Sequence, residues 1–263
     1  PNKSDHPSFI REYYDYEFGG HYSTSRISRK DGEKALLQNA WNAQWSHNRY
    51  RKQYPATMGD AVWSMYDYNR GCCDNVCYSG VADLFRLPKY SLHFFRTQLP
   101  VGTPLPDGDK KPEVFIASRW SEESRNTPFV LVYGNVDEVE LFVNDRSIGR
   151  QQPDRGTDTE YVSVADGGNC RNLTYPPFTF KDVVWQPGKV KAIGYRNGKK
   201  VAEYEVRTPG TPRKLEISYF ESGYPAVKND LLIVYVSLKD INGTLVPMND
   251  FPIRLEVKGG RVR

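Results

Sequence analysis

Apolar and polar residues follow two different rhythms along this chain, and the change falls near residue 110. In "PSFIREYYDYEFGG" (7–20), Phe9 and Ile10 run into Arg11 and Glu12, which predicts a short strand over about 7–12. A polar loop follows, through about residue 32. In "DGEKALLQNAWNAQWSHNRYRK" (31–52), Leu37, Trp41, Trp45 and Asn48 recur at helical spacing, with acids at the front and bases at the end. Trp41 and Trp45 read as core residues of that helix, and His21 and His47 as structural. "MGDAVWSMYDYNRG" (58–71) predicts a strand around Ala61, Val62 and Trp63 that runs into a loop. "SGVADLFRLPKYSLHFFRTQ" (79–98) predicts a loop, then a helix opening near Pro88, since proline suits a first helical turn. Strand, helix, strand, helix is the unit of a parallel α/β fold. Two such units cannot close a core, because a parallel sheet needs neighbours on both sides and cover on both faces. Residues 1–99 therefore read as the last part of a larger body.

"PVGTPLPDGDKK" (100–111) is rich in Pro and Gly and reads as a linker. Beyond it the period becomes two. Val139, Leu141 and Val143 alternate with Glu138, Glu140 and Phe142, and Asn144-Asp145 follow as a turn. Asn197-Gly198 separates two alternating runs, a strong hairpin signal. Residues 112–208 are expected to form one β-sandwich of immunoglobulin size. "TPGTPRK" (208–214) reads as a second linker. "KLEISYF", "LLIVYVSLKD", a turn at Asn242-Gly243 and "IRLEVKGG" predict a third, all-β segment over 212–263. Four strands are expected there against the roughly seven of a full sandwich, so it reads as truncated.

Composition sharpens this only in places. The 263 residues suffice for two or three domains of about 100 residues each. No apolar run reaches the ~18 residues of a membrane-spanning helix, so no membrane partner is expected. Lys and Arg number 36 against 32 Asp and Glu, for a net charge of +4, and the signs are interspersed. There is no basic stripe, and no nucleic-acid partner is expected. Aromatic residues make up 13% of the chain, many beside Asp, Asn or Arg in the first hundred positions. Flat rings beside polar groups suit sugars, which present both C–H faces and hydroxyls. The plainer reading is that β-rich chains use Tyr as half-buried strand residues. Cys72, Cys73, Cys77 and Cys170 do not have zinc-site spacing. Buried free thiols are the first expectation, one disulfide stays open for an exported protein, and no metal is expected. Asn172-Leu-Thr and Asn242-Gly-Thr match the glycosylation pattern, a common chance occurrence.

Three stretches resemble glycoside hydrolase family 2. "PSFIREYYDYEFGG" resembles the family's seventh barrel strand, which ends in the nucleophilic Glu. "GDAVWSMYDYNRG" resembles the eighth strand, with a Trp at its end and an aromatic-Asp pair after it. "SGVADLFRLPKYSLHFF" resembles the closing segment, with Pro-Lys before the last helix. "NVDEVELFVNDRSIGR" and "WQPGKVKAIGYRNGKKVAEYEV" resemble the Ig-like domain that follows the barrel in bacterial β-galactosidase-type members. The implied fold is mixed: the last two β/α units of a (β/α)8 TIM barrel, then one complete and one partial Ig-like β-sandwich.

The resemblance implies a retaining glycosidase acting on terminal β-linked sugars, with β-galactosides foremost; β-glucuronides, β-mannosides and algal galactans stay open. Two carboxyls would flank the sugar, about 5–5.5 Å apart. Glu12 matches the nucleophile. The family's acid/base lies in an Asn-Glu pair on the fourth strand, and this sequence contains no Asn-Glu step. The rest of the barrel, upstream or in a partner chain, is expected to supply it, and residues 1–263 alone are expected to be inactive. Trp63 is expected to stack on the sugar's apolar face. Asp67 and Asn69 are candidates for its hydroxyls, and Tyr13, Tyr14 and Asp15 for the pocket wall. Arg11 departs from the family's small residue at that position, and strand alternation would turn it away from Glu12. The chemistry needs no cofactor. A homo-oligomer through the β-domains is allowed. The location is not legible in this stretch, and the resemblance points to the bacterial periplasm or exterior. The competing reading is a non-catalytic carbohydrate-binding or cell-surface protein of Ig-like modules, which accounts for 112–263 but not for strand-helix units with acids at strand ends.

Overall fold

The structure, a computed structural model, describes residues 6–14, 26–71, 76–156, 168–220, 225, 227–228, 230–247 and 251–261. It is mostly sheet, with two α-helices among the described residues. The chain divides into two compact units, Pro1–Thr208 and Pro209–Arg263.

In the first unit, β1 (Ser8–Tyr13), α1 (Gly32–Arg51) and β2 (Thr57–Val62) form a strand-helix-strand unit whose strands pair in parallel. Short strands β3 (Tyr68–Asn69) and β4 (Val76–Cys77) and helix α2 (Tyr90–Thr97) follow. Ile10, Tyr13 and Val62 pack on one side of the strand pair against Leu37 and Ala40 of α1 and Phe94 and Phe95 of α2. The other side is uncovered: Phe9 is 57% exposed and Met58 67%.

The helix α1 is not simply amphipathic. Beside Leu36, Leu37, Ala40 and Trp41 it buries Glu33, Asn39, Asn42, Gln44, Ser46 and Asn48. Buried polar groups persist only when hydrogen-bonded, and several of these find partners far along the chain. Gln44 Nε2 donates to the Gly168 carbonyl at 2.9 Å. Asn48 Oδ1 accepts from the Asn172 N–H at 2.8 Å. The Glu33 carboxylate accepts from the Arg119 N–H and from Ser118 Oγ at 3.2 Å. Burial raises the Glu33 pKa, and these donors oppose it. Residues 1–99 and 112–208 thus share one buried interface across the expected linker. That stretch is itself folded back, with Gly102 N–H on the Lys110 carbonyl and Lys110 N–H on the Thr103 carbonyl, both 2.8 Å. Trp45 is half-buried beneath the Arg49 guanidinium, 5.3 Å from the ring centroid.

On α2, Phe94 meets Tyr133 edge-on, and His93 stacks flat on Phe115 at 3.7 Å. Burial lowers the His93 pKa from 6.5 to about 4; Arg96 and Lys110 act in the same direction and Glu113 against it. A histidine depressed in the folded state contributes stability that is full above pH 6.5 and lost as pH falls towards 4. The loss should approach roughly 3 kcal/mol. Urea denaturation at pH 7 and pH 4.5 should show it, and His93→Phe, which keeps the stacking but cannot titrate, should lose less on acidification.

The remainder of the first unit is two antiparallel sheets packed face to face. One contains β5 (Val114–Ile116), β6 (Phe129–Gly134) and β9 (Phe178–Lys181) in the order β5-β6-β9. The other runs β11-β10-β7-β8, from β7 (Glu138–Val143), β8 (Arg146–Gln151), β10 (Lys189–Arg196) and β11 (Lys199–Arg207). Val139, Leu141 and Val143 point inward as the period of two requires, onto Ile116, Val132, Phe178, Val190 and Ala192. The Asn197-Gly198 turn joins β10 to β11 with φ values of 50° and 73°, both left-handed as a tight hairpin turn demands.

The second unit holds β12 (Lys214–Tyr219) and β13 (Val234–Lys239), paired antiparallel. Asp240 closes β13 by accepting N–H bonds from Gly210, Asn242 and Thr244, which hold its pKa down. The strand expected at "IRLEVKGG" is absent: 251–257 carry no strand pairing. Alternation alone cannot make a strand; a ladder partner must lie alongside. Leu215, Ile217, Leu231, Leu255 and Val257 are all at least half exposed, so this unit has no closed apolar core among its described residues.

Candidate active site

The β1–β2 ladder carries the first candidate. Ile10 pairs with Asp60 and Tyr13 with Val62, so three steps on β1 answer two on β2. The ladder thus has a bulge-like irregularity at Arg11–Glu12, opposite in sense to the shift between Ser8 and Phe9. A bulge interrupts alternation and re-aims the side chains it contains. Arg11 and Glu12 are therefore both outward, and Arg11 Nη2 lies 3.4 Å from Glu12 Oε1, against the expectation that Arg11 would turn away. The Glu12 side chain is 50% exposed. A solvent-exposed pair of this kind contributes about 0–1 kcal/mol to stability.

The residues after Glu12 turn inward instead. Tyr13 is 6% exposed and Tyr14 1%. The Tyr13 hydroxyl lies 3.0 Å from His47 Nδ1, and its ring meets Tyr50 and Phe95 edge-on. The Tyr14 hydroxyl donates to Ser91 Oγ at 3.2 Å. Both rings fill the space between the strands and the helices rather than lining an open surface. Asp15 lies outside the described residues, as do Cys72 and Cys73. Cys77 and Cys170 are both buried, and the Cys77 thiol is free.

Trp63 follows β2 directly. Its N–H donates to the Tyr13 carbonyl at 3.2 Å, which seats the two strand ends side by side. The side chain is 40% exposed. Its Nε1 donates to the Tyr68 hydroxyl at 3.0 Å, with the rings edge-on at 5.9 Å. The indole's edge is thus fixed while the residue stays partly exposed.

Asp67 does something other than expected. It is buried, and Lys89 Nζ donates to its Oδ1 at 2.7 Å, with the two side chains 1% and 0% exposed. Lys89 Nζ also donates to the Tyr78 carbonyl at 2.8 Å, and the Gly80 N–H donates to Asp67 Oδ1 at 2.8 Å. Gly80 is required by close approach: a Cβ there would lie 2.2 Å from the Asp67 nitrogen. Asp67 thus fastens the loop behind Trp63 and is not free for a sugar hydroxyl. Asn69 Oδ1 accepts from the Gly71 N–H at 2.9 Å, the bond of an Asx turn. Two groups of consequence were missed in the sequence, Lys89 and the His47–Asp60 pair. The Pro-Lys step marked Lys89 only as a helix start, and nothing local signals a partner 22 positions away. Among the described residues no group of three or more His, Cys, Asp or Glu is placed to hold a metal ion, and no helix is long and apolar enough to cross a membrane.

Comparison with known proteins bears on this arrangement. Residues 127–202 match a family described as a domain of unknown function, DUF4982. Over 225 residues the chain is 36% identical to a β-galactosidase of Thermoanaerobacter pseudethanolicus, covering 79% of this chain and 28% of that protein. A β-galactosidase of Thermoanaerobacterium thermosulfurigenes is 24% identical, over 92% of this chain and 33% of its own length. Among solved structures, a β-glucuronidase from glycoside hydrolase family 2 superposes with a TM-score of 0.61 at 21% identity, over 91% of this chain and 24% of that one. Homologues named β-galactosidase and structural neighbours that include a family 2 enzyme thus cover most of this chain. A β-glycosidase from Bacteroides vulgatus superposes with a TM-score of 0.57 at 21% identity, over 76% of this chain and 22% of that chain. These structures show the shared fold. The chain spans a third or less of the length of the two β-galactosidases.

Proposed function

We propose that the protein is a retaining β-glycosidase of family 2, acting on terminal β-linked sugars, with β-galactosides the first choice, and that Glu12 is its nucleophile. In this reading residues 1–99 are the last two β/α units of a (β/α)8 barrel, 112–208 an Ig-like β-sandwich, and 212–263 part of a second. The observation that carries it is the pair of parallel strand ends. The end of β1 carries a half-exposed carboxylate, and the adjoining end of β2 leads into a partly exposed indole. Acids and aromatics gathered at the C-terminal ends of parallel strands are where barrel enzymes keep their chemistry.

The mechanism follows. The Glu12 carboxylate attacks the anomeric carbon as the glycosidic C–O bond breaks, and the leaving oxygen takes a proton from a second carboxyl. Water, deprotonated by that same carboxyl, then displaces Glu12 from the glycosyl-enzyme. The second carboxyl is assigned to the rest of the barrel, upstream or in a partner chain. The uncovered side of β1–β2, with Phe9 and Met58, is where those further strands would lie. Trp63 offers its indole to the sugar's C–H groups, which removes them from water and leaves the hydroxyls free. Tyr13, Tyr14, Asp67 and Asn69 support this site rather than line it.

The competing reading, a non-catalytic sugar-binding protein, would need an aromatic platform in 112–208. Two aromatics of that region are covered by cations instead: Arg150 lies over Tyr195 at 3.7 Å, and Lys191 over Phe142 at 5.3 Å. The test is covalent trapping. The full-length protein, treated with 2-deoxy-2-fluoro-β-galactosyl fluoride and digested, should carry the sugar on the peptide containing Glu12. Turnover of a nitrophenyl β-glycoside with the label on another residue would sink the assignment.

A further inference from the structure

Behind the bulge lies a partly buried set of polar groups that the reaction scheme does not use. Tyr13 of β1 sends its hydroxyl to His47 of α1, 3.0 Å from Nδ1. Asp60 of β2 brings Oδ2 to 3.8 Å from the same nitrogen. The surrounding groups are Tyr50 and Arg51 of α1 and Phe94 and Phe95 of α2. The Asp60 carboxylate beside Nδ1 favours the tautomer that carries its proton there, so that His47 Nδ1–H donates to the Tyr13 oxygen. Burial, the largest influence on each, lowers the His47 pKa and raises that of Tyr13, so both stay neutral at pH 7.

The place of this set matters more than its bonds. The β1–β2 pairing is irregular between Ile10 and Tyr13, and a bulge leaves its extra residue without a ladder partner. Glu12 sits inside that irregular step. Pairing resumes at Tyr13, whose carbonyl also accepts the Trp63 N–H. Tyr13 is thus the first fixed point after Glu12, and its side chain is held from two other elements at once.

We propose that Tyr13, His47 and Asp60 are positioning residues that fix the bulge and so set where Glu12 meets the anomeric carbon. The proposal rests on the assignment of Glu12 as nucleophile. None of the three touches the sugar; they act through the backbone that carries the carboxylate. Their signature is kinetic, because a carboxylate allowed to drift binds the substrate as before but attacks it more slowly. Misplacement of a reacting group by about an ångström costs on the order of 100-fold in rate.

The experiment uses the full-length enzyme and the same fluoro-sugar, reading the limiting rate of the covalent step separately from the inactivator's binding constant. In Tyr13→Phe and His47→Leu the limiting rate should fall about 10- to 100-fold, with the binding constant little changed and the label still on Glu12. His47→Asn places an amide N–H near the Nδ1 position and should recover most of the loss. Asp60→Asn keeps the side chain's shape and tests the same bonds if either of the first two fails to fold. A normal limiting rate in the folded variants, with or without a lower melting temperature, overturns the positioning role and leaves the nucleophile standing. A label away from Glu12 in the unmodified enzyme overturns both.

Discussion

Lys89→Met should lower the stability of the protein by about 3–5 kcal/mol, the range found when one member of a buried ion pair is removed. Lys89 and Asp67 are withdrawn from water, and each finds its compensation in the other. Burial pushes the Asp67 pKa up and the Lys89 pKa down, and the mutual bond opposes both shifts. Methionine fills the stem's volume but leaves the carboxylate facing apolar surroundings, with only the Gly80 N–H on it, and leaves the Tyr78 carbonyl without its donor. The variant's Asp67 would then titrate above an unfolded carboxyl. Between those two pKa values the folded state binds more protons, so its stability falls as pH rises. The deficit should be largest at neutral pH and shrink on acidification. Asp67→Asn combined with Lys89→Met keeps an acceptor for Gly80 and removes the orphaned charge, so the double variant should recover most of the loss. Urea denaturation of the two single variants and the double variant at pH 7 and pH 5 checks each step. A Lys89→Met protein as stable as the parent would mean that water reaches Asp67 despite its burial.

That pair also marks the boundary of what the sequence discloses. Periodicity is a local signal, and the local elements are where it was read: α1 over Gly32–Arg51, the inward Val139, Leu141 and Val143, and the left-handed turn at Asn197-Gly198. The order of strand and helix was legible too, and with it the neighbouring positions of Glu12 and Trp63. Asp67 looked like a sugar ligand because an Asp among tyrosines is what a sugar ligand looks like. Only the fold brings Lys89 to it. The same holds for the polar side of α1. Glu33, Gln44 and Asn48 look solvated in a string of letters, and their partners at 118–119 and 168–172 are supplied by tertiary contact. The bulge escaped for a different reason: one extra residue in a ladder depends on both strands, and only one strand is visible at a time. The expected strand over 253–260 failed likewise, because an alternating run without a neighbour has nothing to bond.

Glu12→Ala should reduce turnover of aryl β-glycosides by the full-length enzyme on the order of 10^6-fold, the scale seen when a nucleophile is removed. The decisive feature is what restores it. The truncated side chain leaves space on the sugar's α face, and azide is small enough to enter. Azide attacks the anomeric carbon as the C–O bond breaks, and the leaving oxygen takes its proton from the second carboxyl, which the substitution does not touch. Because attack comes once, from the face opposite the leaving group, the product is an α-glycosyl azide. A β-specific enzyme cannot cleave it, so it should accumulate in proportion to turnover. If Glu12 were only an acid at a strand end, Glu12→Ala would turn over near the normal rate and azide would change nothing. If it were instead the proton donor, azide would give the β-glycosyl product, since attack would still proceed through a glycosyl-enzyme on the other carboxylate. The anomeric configuration of one product therefore separates the three roles this carboxylate could hold, independently of whether the β-domains bind sugar.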